Sequence, residues 1–172
     1  MPLSTPEPGA VPAPPVGAGA LVVGIYTAPY AGAPMEQQGS VVVQPGLGIV
    51  GDRYHAGIAR GTWSDPRWHD KELTLFEAEV ADALGIEPYL ARRNVVTRGV
   101  TLYGLLGIRF RIGEVLLAGV RPCDPCRYIE QHTGRPGLTR ALARGRGGLR
   151  TRIIEGGRIR LGDALEVVGL DE

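Results

Sequence analysis

Lysine is nearly missing from this chain of 172 residues: Lys71 is the single example. A pyridoxal-phosphate enzyme holds its cofactor as a Schiff base on lysine. Lys71 stands between Asp70 and Glu72, which favour its charged form, so pyridoxal phosphate is not expected here. Cysteine is scarce too, with two residues. That gives no disulfide framework and no four-cysteine set for an iron–sulfur centre, and a reducing cytoplasm is the expected location. Aromatic residues make up 6% of the chain, with only two Phe and two Trp. No stacking platform for bases is visible, so nucleic acid is not an expected partner. The single RGRGG run (144–148) reads as a loop rather than an RNA-binding tract. No apolar run approaches the roughly twenty residues of a membrane span, and the start lacks the basic opening and apolar core of a secretory signal. No membrane partner is expected.

What is present fits one globular domain. The apolar share is 44%, and the length suits one ordinary core rather than two. Residues 1–19 are dominated by Pro, Gly and Ala with no hydrophobic period, and are expected to be a disordered tail or arm. Residues 20–172 are expected to form the single domain. The net charge of +1 hides an asymmetry. Residues 1–90 carry four basic and ten acidic side chains, and residues 91–160 carry fifteen arginines against Glu114, Asp124, Glu130 and Glu155. A basic half with so many guanidinium forks suits an anionic partner; a solvated arginine-rich face is the plain alternative.

Segments 20–29 and 39–46 are β-rich apolar runs closed by Gly and Pro, which predicts two strands. Segment 46–57, with four glycines in twelve residues, predicts a loop able to approach a ligand closely. Segment 58–70 predicts a further loop anchored by Trp63 and Trp68. Then come a short strand and a helix, with Thr74 and Glu77 spaced as a capping box, Phe76, Val80, Ala83 and Leu84 as its apolar face, and Gly85 as its stop. A strand is expected near 94–97. Residues 109–123 predict two strand segments joined at Ile112-Gly113-Glu114. Short helices are expected from Cys126 and over 138–144. A hairpin around Gly156-Gly157 and a final strand complete the chain. Many short strands with a few helices predict an α+β, mostly β domain on a curled or barrel-like sheet.

Both cysteines fall in one stretch, GVRPCDPCRYIE, as Cys123 and Cys126. A cationic, partly exposed neighbourhood favours the thiolate, the form that binds metals and attacks sulfur; Arg121 and Arg127 supply one. The CxxC spacing suits a thioredoxin-type pair, half of a zinc site, a single functional thiol, or two small packed apolar residues. The glycine-framed turn with Gly51, Asp52, Arg53 and His55 suits phosphate binding. Segment 91–100 adds Arg92, Arg93 and Asn94. If it is strand, Arg92 and Asn94 share one face and Arg93 the other.

Taken in order, GLGIVGDRYHAG, LTLFEAE, RRNVVTRGV, LLGIRFRIGEVLLAGVRPCDPC and RGGLRTRIIEGGRIRLGD resemble the MOSC domain, over roughly residues 20–168. The resemblance implies a β-barrel-like domain that binds the molybdenum cofactor, a pterin carrying a phosphate and a dithiolene-held molybdenum. It also implies a functional cysteine, a metal ligand in reductase members and a sulfur handler in sulfurase members. Cys126, after Pro125 and before a polar helix, fits that description better than Cys123. Gly51, Asp52, Arg53, His55, Arg93, Asn94 and Arg127 are the implied cofactor-binding groups, with Tyr54 interrupting the commoner form of the turn. The expected function is a molybdenum-cofactor domain reducing N-hydroxylated compounds with electrons from a separate reductase. The alternatives are a sulfur carrier loaded by a separate cysteine desulfurase, or a nonenzymatic anion-sensing domain.

Overall fold

Leu75 and Phe76 are neighbours in the chain yet lie in two different cores, and that alternation organises the fold. The computed structural model describes residues 16–55 and 72–172. Leu75 belongs to strand β5 (Leu73–Glu77), which runs parallel to β6 (Val95–Val100) with Leu75 opposite Val95 and Phe76 opposite Val96. Successive strand side chains point to opposite faces. Leu75 and Val95 therefore join an interior cluster with Ile25, Phe110, Leu117 and Leu149. Phe76 and Val96 join an outer cluster with Ala81, Ile129 and Leu142. A strand covered on both faces reads as a nearly continuous apolar run, and the sequence LTLF is one.

The remaining strands are β1 (Val16–Thr27), β2 (Glu36–Gln37), β3 (Ser40–Gln44), β4 (Gly48–Ile49), β7 (Ile108–Ile112), β8 (Val115–Pro122), β9 (Leu149–Glu155), β10 (Gly157–Arg160) and β11 (Leu165–Leu170). Eight of the eleven form one sheet in the order β11-β7-β8-β9-β5-β6-β1-β2, and β10-β3-β4 form a second. The large sheet curls until β11 meets β1. There Leu21 bridges Ala164, and the Val22 N–H donates to the Asp163 carbonyl at 2.9 Å. Helices α1 (Ala78–Leu84), α2 (Arg127–Thr133) and α3 (Leu138–Ala141) contribute Ala81, Ile129 and Leu138 to the outer cluster. The result is the expected mostly β, barrel-like α+β domain.

Several local expectations are corrected. β1 starts at Val16, so part of the stretch expected as tail is strand, and residues 1–15 lie outside the described residues. So do 58–70, with Trp63 and Trp68. Segment 46–57 contains β4, where Ile49 pairs with Val43 and is buried. Thr74 and Glu77 form no capping box: Glu77 holds the N-cap position of α1, but its side chain makes no capping bond. Thr74 lies within β5 and its hydroxyl donates to Asn94 Oδ1, while Glu77 accepts the Leu102 N–H at 2.7 Å. Of the expected apolar face, Phe76 and Val80 are buried in the outer cluster and Leu84 packs against it, but Ala83 is exposed, and Ala78 and Ala81 are buried instead. Gly85 does end it, in the left-handed conformation at φ 61°. Gly156-Gly157 is a corner rather than a hairpin: β9 pairs with β8 and β5, and β10 crosses to β3. A Cβ on Gly156 would stand 2.6 Å from the Val43 carbonyl oxygen, so glycine lets the chain change sheets there.

Gly119 marks another close crossing. Its carbonyl accepts the Gly107 N–H at 2.9 Å, and a Cβ on it would collide with the Leu105 carbonyl. Gly119→Ala is expected to lower unfolding stability by about 1–3 kcal/mol. Gly39→Ala, at a site with open space and no positive φ, should stay within about 0.5 kcal/mol of the parent. Chemical denaturation of both variants checks the contrast.

Candidate functional site

The turn after β4 is organised by a carboxylate that no water reaches. Asp52 is fully buried; its Oδ1 accepts the Ala28 N–H at 3.0 Å and Arg53 Nη1 at 3.2 Å, and its Oδ2 accepts the Tyr54 N–H at 3.4 Å. Arg53 is 4% exposed and lies 4.4 Å over the Tyr54 ring. Its Nη2 donates to the Arg92 carbonyl at 2.8 Å. A buried ion must be paired and hydrogen-bonded, and this network satisfies both partners.

Arg92 extends the network. It caps the 3-10 turn Pro88–Ala91 at φ 57°, a left-handed conformation uncommon for a bulky residue. This bend sends Arg92 and Arg93 to different places. Arg92 Nη1 donates to the Ala33 carbonyl at 2.8 Å and meets His132 Nε2 at 2.9 Å. Burial and the Arg53 charge push the Arg92 pKa down. Arg93 Nε donates to the Gly147 carbonyl at 2.9 Å, on the loop between α3 and β9.

A guanidinium only donates, so His132 Nε2 accepts and the ring is neutral, with its proton on Nδ1. The ring stacks on Tyr128 at 5.5 Å between centroids, and the two residues are one helical turn apart on α2. Partial burial and then the Arg92 charge lower the His132 pKa from its ordinary value.

Cys126 stands at the N-terminal boundary of α2 and is exposed, while Cys123, at the end of β8, is buried. The Cys126 carbonyl accepts the Ile129 N–H at 3.0 Å and the Thr139 hydroxyl at 3.3 Å. Pro125 and Arg127, on either side of it, help line an open hollow of about 450 Å³ between α2 and α3. Arg127, Arg140 and Arg144 supply its positive charge; Asp124 and Glu130 supply the negative. The Thr139 N–H donates to Glu130 Oε1 at 2.9 Å and holds that carboxyl below the usual carboxylate range.

The structure thus separates the residues singled out in the sequence. Asp52 and Arg53 are buried together, joined by Arg92 rather than Arg93. Asn94 is fully buried and committed to the sheet: its Oδ1 accepts the Thr74 N–H at 3.2 Å, and its Nδ2 donates to the Tyr26 carbonyl at 3.2 Å. His55 Nε2 bonds Gln44 Oε1 at 2.9 Å, toward β3, and Gly51 is exposed. Arg127 lines the hollow beside Cys126. Tyr128, His132, Arg140 and Arg144 are additions, while Arg92 was already weighed against Arg93 in the sequence. The four-residue spacing of Tyr128 and His132 after Cys126 was the available signal for that pair; the placement of Arg140 and Arg144 had none. Among the described residues, no three of His, Cys, Asp and Glu come together as a metal-binding set, and no helix is long and apolar enough to cross a membrane.

The helical flank of this curled β domain thus carries an exposed thiol whose chain neighbours line an arginine-bearing hollow. The MOSC domain family model matches residues 68–166, more than half of the chain, and the chain belongs to that family. The family is linked to molybdenum-cofactor-associated function. No curated protein sequence matches the chain. Among solved structures, it is similar in fold to the YuaD protein from Bacillus subtilis, at 21% identity and TM-score 0.68, covering 86% of this chain and 95% of that one. YiiM from Escherichia coli is similar at 22% identity and TM-score 0.59, covering 87% and 68%. YiiM from Geobacillus stearothermophilus is similar at 17% identity and TM-score 0.58, covering 88% and 74%.

Two measurements check the network. Asp52→Ala leaves the Arg53 charge buried without its partner and is expected to cost about 3–5 kcal/mol in urea unfolding. Asp82→Ala, which breaks the exposed pair with Arg98, should cost about 0–1 kcal/mol. The depressed His132 pKa means that the unfolded chain binds its proton more readily. Stability is therefore unaffected by this group above the unfolded value near pH 6.5 and falls as pH drops through the lower folded value. NMR titration should place His132 below that value, and His132→Gln should flatten the pH dependence of stability in that window.

Proposed function

We propose that this domain binds the molybdenum cofactor with Cys126 as its protein ligand, and acts in reduction of N-hydroxylated compounds using electrons from a separate reductase. One observation carries the reading: the exposed cysteine is flanked in the chain by residues lining an arginine-bearing hollow, whereas its neighbour Cys123 is buried. The donor set fits the group. Molybdenum held by a pterin dithiolene needs one soft protein ligand, and a thiolate is one; a cage of several side chains is not required. When bound, the cofactor supplies the two-electron redox chemistry.

The chain's own residues grip and orient. Arg127, Arg140 and Arg144 hold the cofactor phosphate by charge-assisted hydrogen bonds. Thr139 fixes the Cys126 carbonyl, and Pro125 restricts the backbone before it. Glu130, ionised more readily than an ordinary carboxyl, serves as an acceptor rather than a proton donor. Asp52, Arg53 and Asn94 act from behind as framework, and Arg92 seats α2 through His132. Gly51, His55 and Arg93 lie outside the lining of the hollow.

A second reading, a sulfur carrier loaded by a separate cysteine desulfurase, draws on the same exposure, since a partner protein must reach the thiol. Protein loaded with the cofactor separates the two. On the first reading the parent retains molybdenum through gel filtration and reduces a hydroxylamine with an added reductase, and Cys126→Ser lowers retained metal about tenfold or more. Metal content unchanged in Cys126→Ser contradicts it. A persulfide on Cys126 after incubation with a desulfurase, with no metal retained, favours the second.

A further inference from the structure

We infer that the arginine-bearing flank around Cys126 is a docking surface for the acidic face of the protein that delivers electrons to the site. The inference rests on the reductive function proposed above and adds to it the chemistry of the partner.

The arginines of this chain divide by location. Five that stand on strands are paired: Arg98 with Asp82, Arg109 and Arg152 with Asp171, Arg111 with Glu155, and Arg160 with Glu114. Segment 124–146 carries Arg127, Arg135, Arg140, Arg144 and Arg146, all exposed. None of these forms an ion pair with a carboxylate among the described residues. The acids of the segment are Asp124 and Glu130. The Glu130 carboxyl is taken up by the Thr139 N–H, and Arg127 acts on it only at longer range. A face of uncompensated guanidinium forks attracts and orients an anionic surface.

The fold turns this face outward. Leu138 and Leu142 are buried in the outer cluster and leave Arg140 and Arg144 in solvent. Arg144 takes a left-handed conformation at φ 60°, and Gly145 follows at φ 80°. This turn packs on Tyr103: a Cβ on Gly145 would stand 2.7 Å from the ring Cδ2. Tyr103 comes from the 3-10 turn Leu102–Leu105, whose two leucines are buried, and it is 58% exposed. Arg146 Nη1 donates to the Ala141 carbonyl at 3.3 Å, which keeps it against α3. An exposed tyrosine among arginines has the composition of an interface hot spot.

The extent of the face sets the size of what it meets. Arg127, Arg140 and Arg144 line the hollow, whereas Arg146 and Tyr103 lie outside its lining. A small anion in the hollow leaves those two unused; a protein covering its rim engages them. One ring beside the arginines gives no stacking series for bases, so the partner is an acidic protein rather than a nucleic acid. Reducing an N–OH to an N–H and water consumes two electrons, supplied by the donor, and two protons from solvent. Two cysteines hold no iron–sulfur cluster in this chain, so the donor must come up to Cys126 itself. Weak, electrostatically steered encounters are typical of electron carriers.

The isotope-labelled full chain, titrated by NMR with an oxidised acidic flavodoxin as donor probe, reads docking without turnover. Amide shifts should concentrate in segments 124–128 and 139–146 and at Tyr103. The dissociation constant should rise about tenfold between about 20 and about 200 mM salt. Arg146→Glu and Tyr103→Ala should each weaken binding about fivefold or more. Arg98→Glu, the same charge change on another flank, should stay within about twofold of the parent. Circular dichroism verifies that the variants fold. No binding at low salt, shifts centred elsewhere, or Arg146→Glu binding like the parent overturns the inference. Self-association abolished by Arg146→Glu, with no response to flavodoxin, assigns the face to a second copy and overturns it as well. Molybdenum retention keeps the two proposals apart. Metal lost in Cys126→Ser, without docking in the parent, sinks only the docking surface. Metal insensitive to Cys126→Ser, with docking lost in Arg146→Glu, sinks only the ligand role.

Discussion

One buried carboxylate ties together the end of β1, the turn after β4 and, through Arg53, the residue before β6. Asp52 receives the Ala28 N–H from the end of β1, the Tyr54 N–H from its own turn and the guanidinium of Arg53. Arg53 passes the constraint to the Arg92 carbonyl, and Arg92 passes it to Ala33 and to His132 on α2. Buried charge is tolerated only when its partners are in place, so these segments must order together. Helix α2, which carries Cys126 at its start, takes its seat from a charge cluster that does not include the cysteine.

That division of labour explains why residues resembling ligands in sequence are buried, while the Cys126 thiol is exposed. A binding site needs a rigid backing that fixes the groups in front of it. Asn94 ties β5 to β1, and Asp52 ties the glycine turn to the end of β1. Their polar atoms are occupied by the frame. The arginines with room to meet an anion, Arg127, Arg140 and Arg144, lie on and after α2. The basic half of the sequence thus supplies both frame and front: Arg92 and Arg93 to the first, the other three to the second.

What was legible in the sequence was local. The break at Ile112-Gly113-Glu114 separates β7 from β8, Gly85 ends α1, and a helix starts at Arg127, because each is decided by a few neighbouring residues. The apolar runs of β1 and β3 stood out by composition. Features decided by distant partners did not. Thr74 and Glu77 have the spacing of a cap, but the strand claims both, since Asn94 and Leu102 are waiting for them. Gly156-Gly157 has the composition of a hairpin, but β10 finds its partner in β3, over a hundred residues earlier. The choice between Arg92 and Arg93 turned on a left-handed residue before β6, which no periodicity argument contains.

The central claim is that Cys126 is the one protein atom donor to the bound metal, held out by a helix seated on Arg92. X-ray absorption at the molybdenum edge on cofactor-loaded protein tests it most directly by counting sulfur neighbours. The account predicts one sulfur more in the parent than in Cys126→Ser; equal sulfur counts in the two proteins would contradict it.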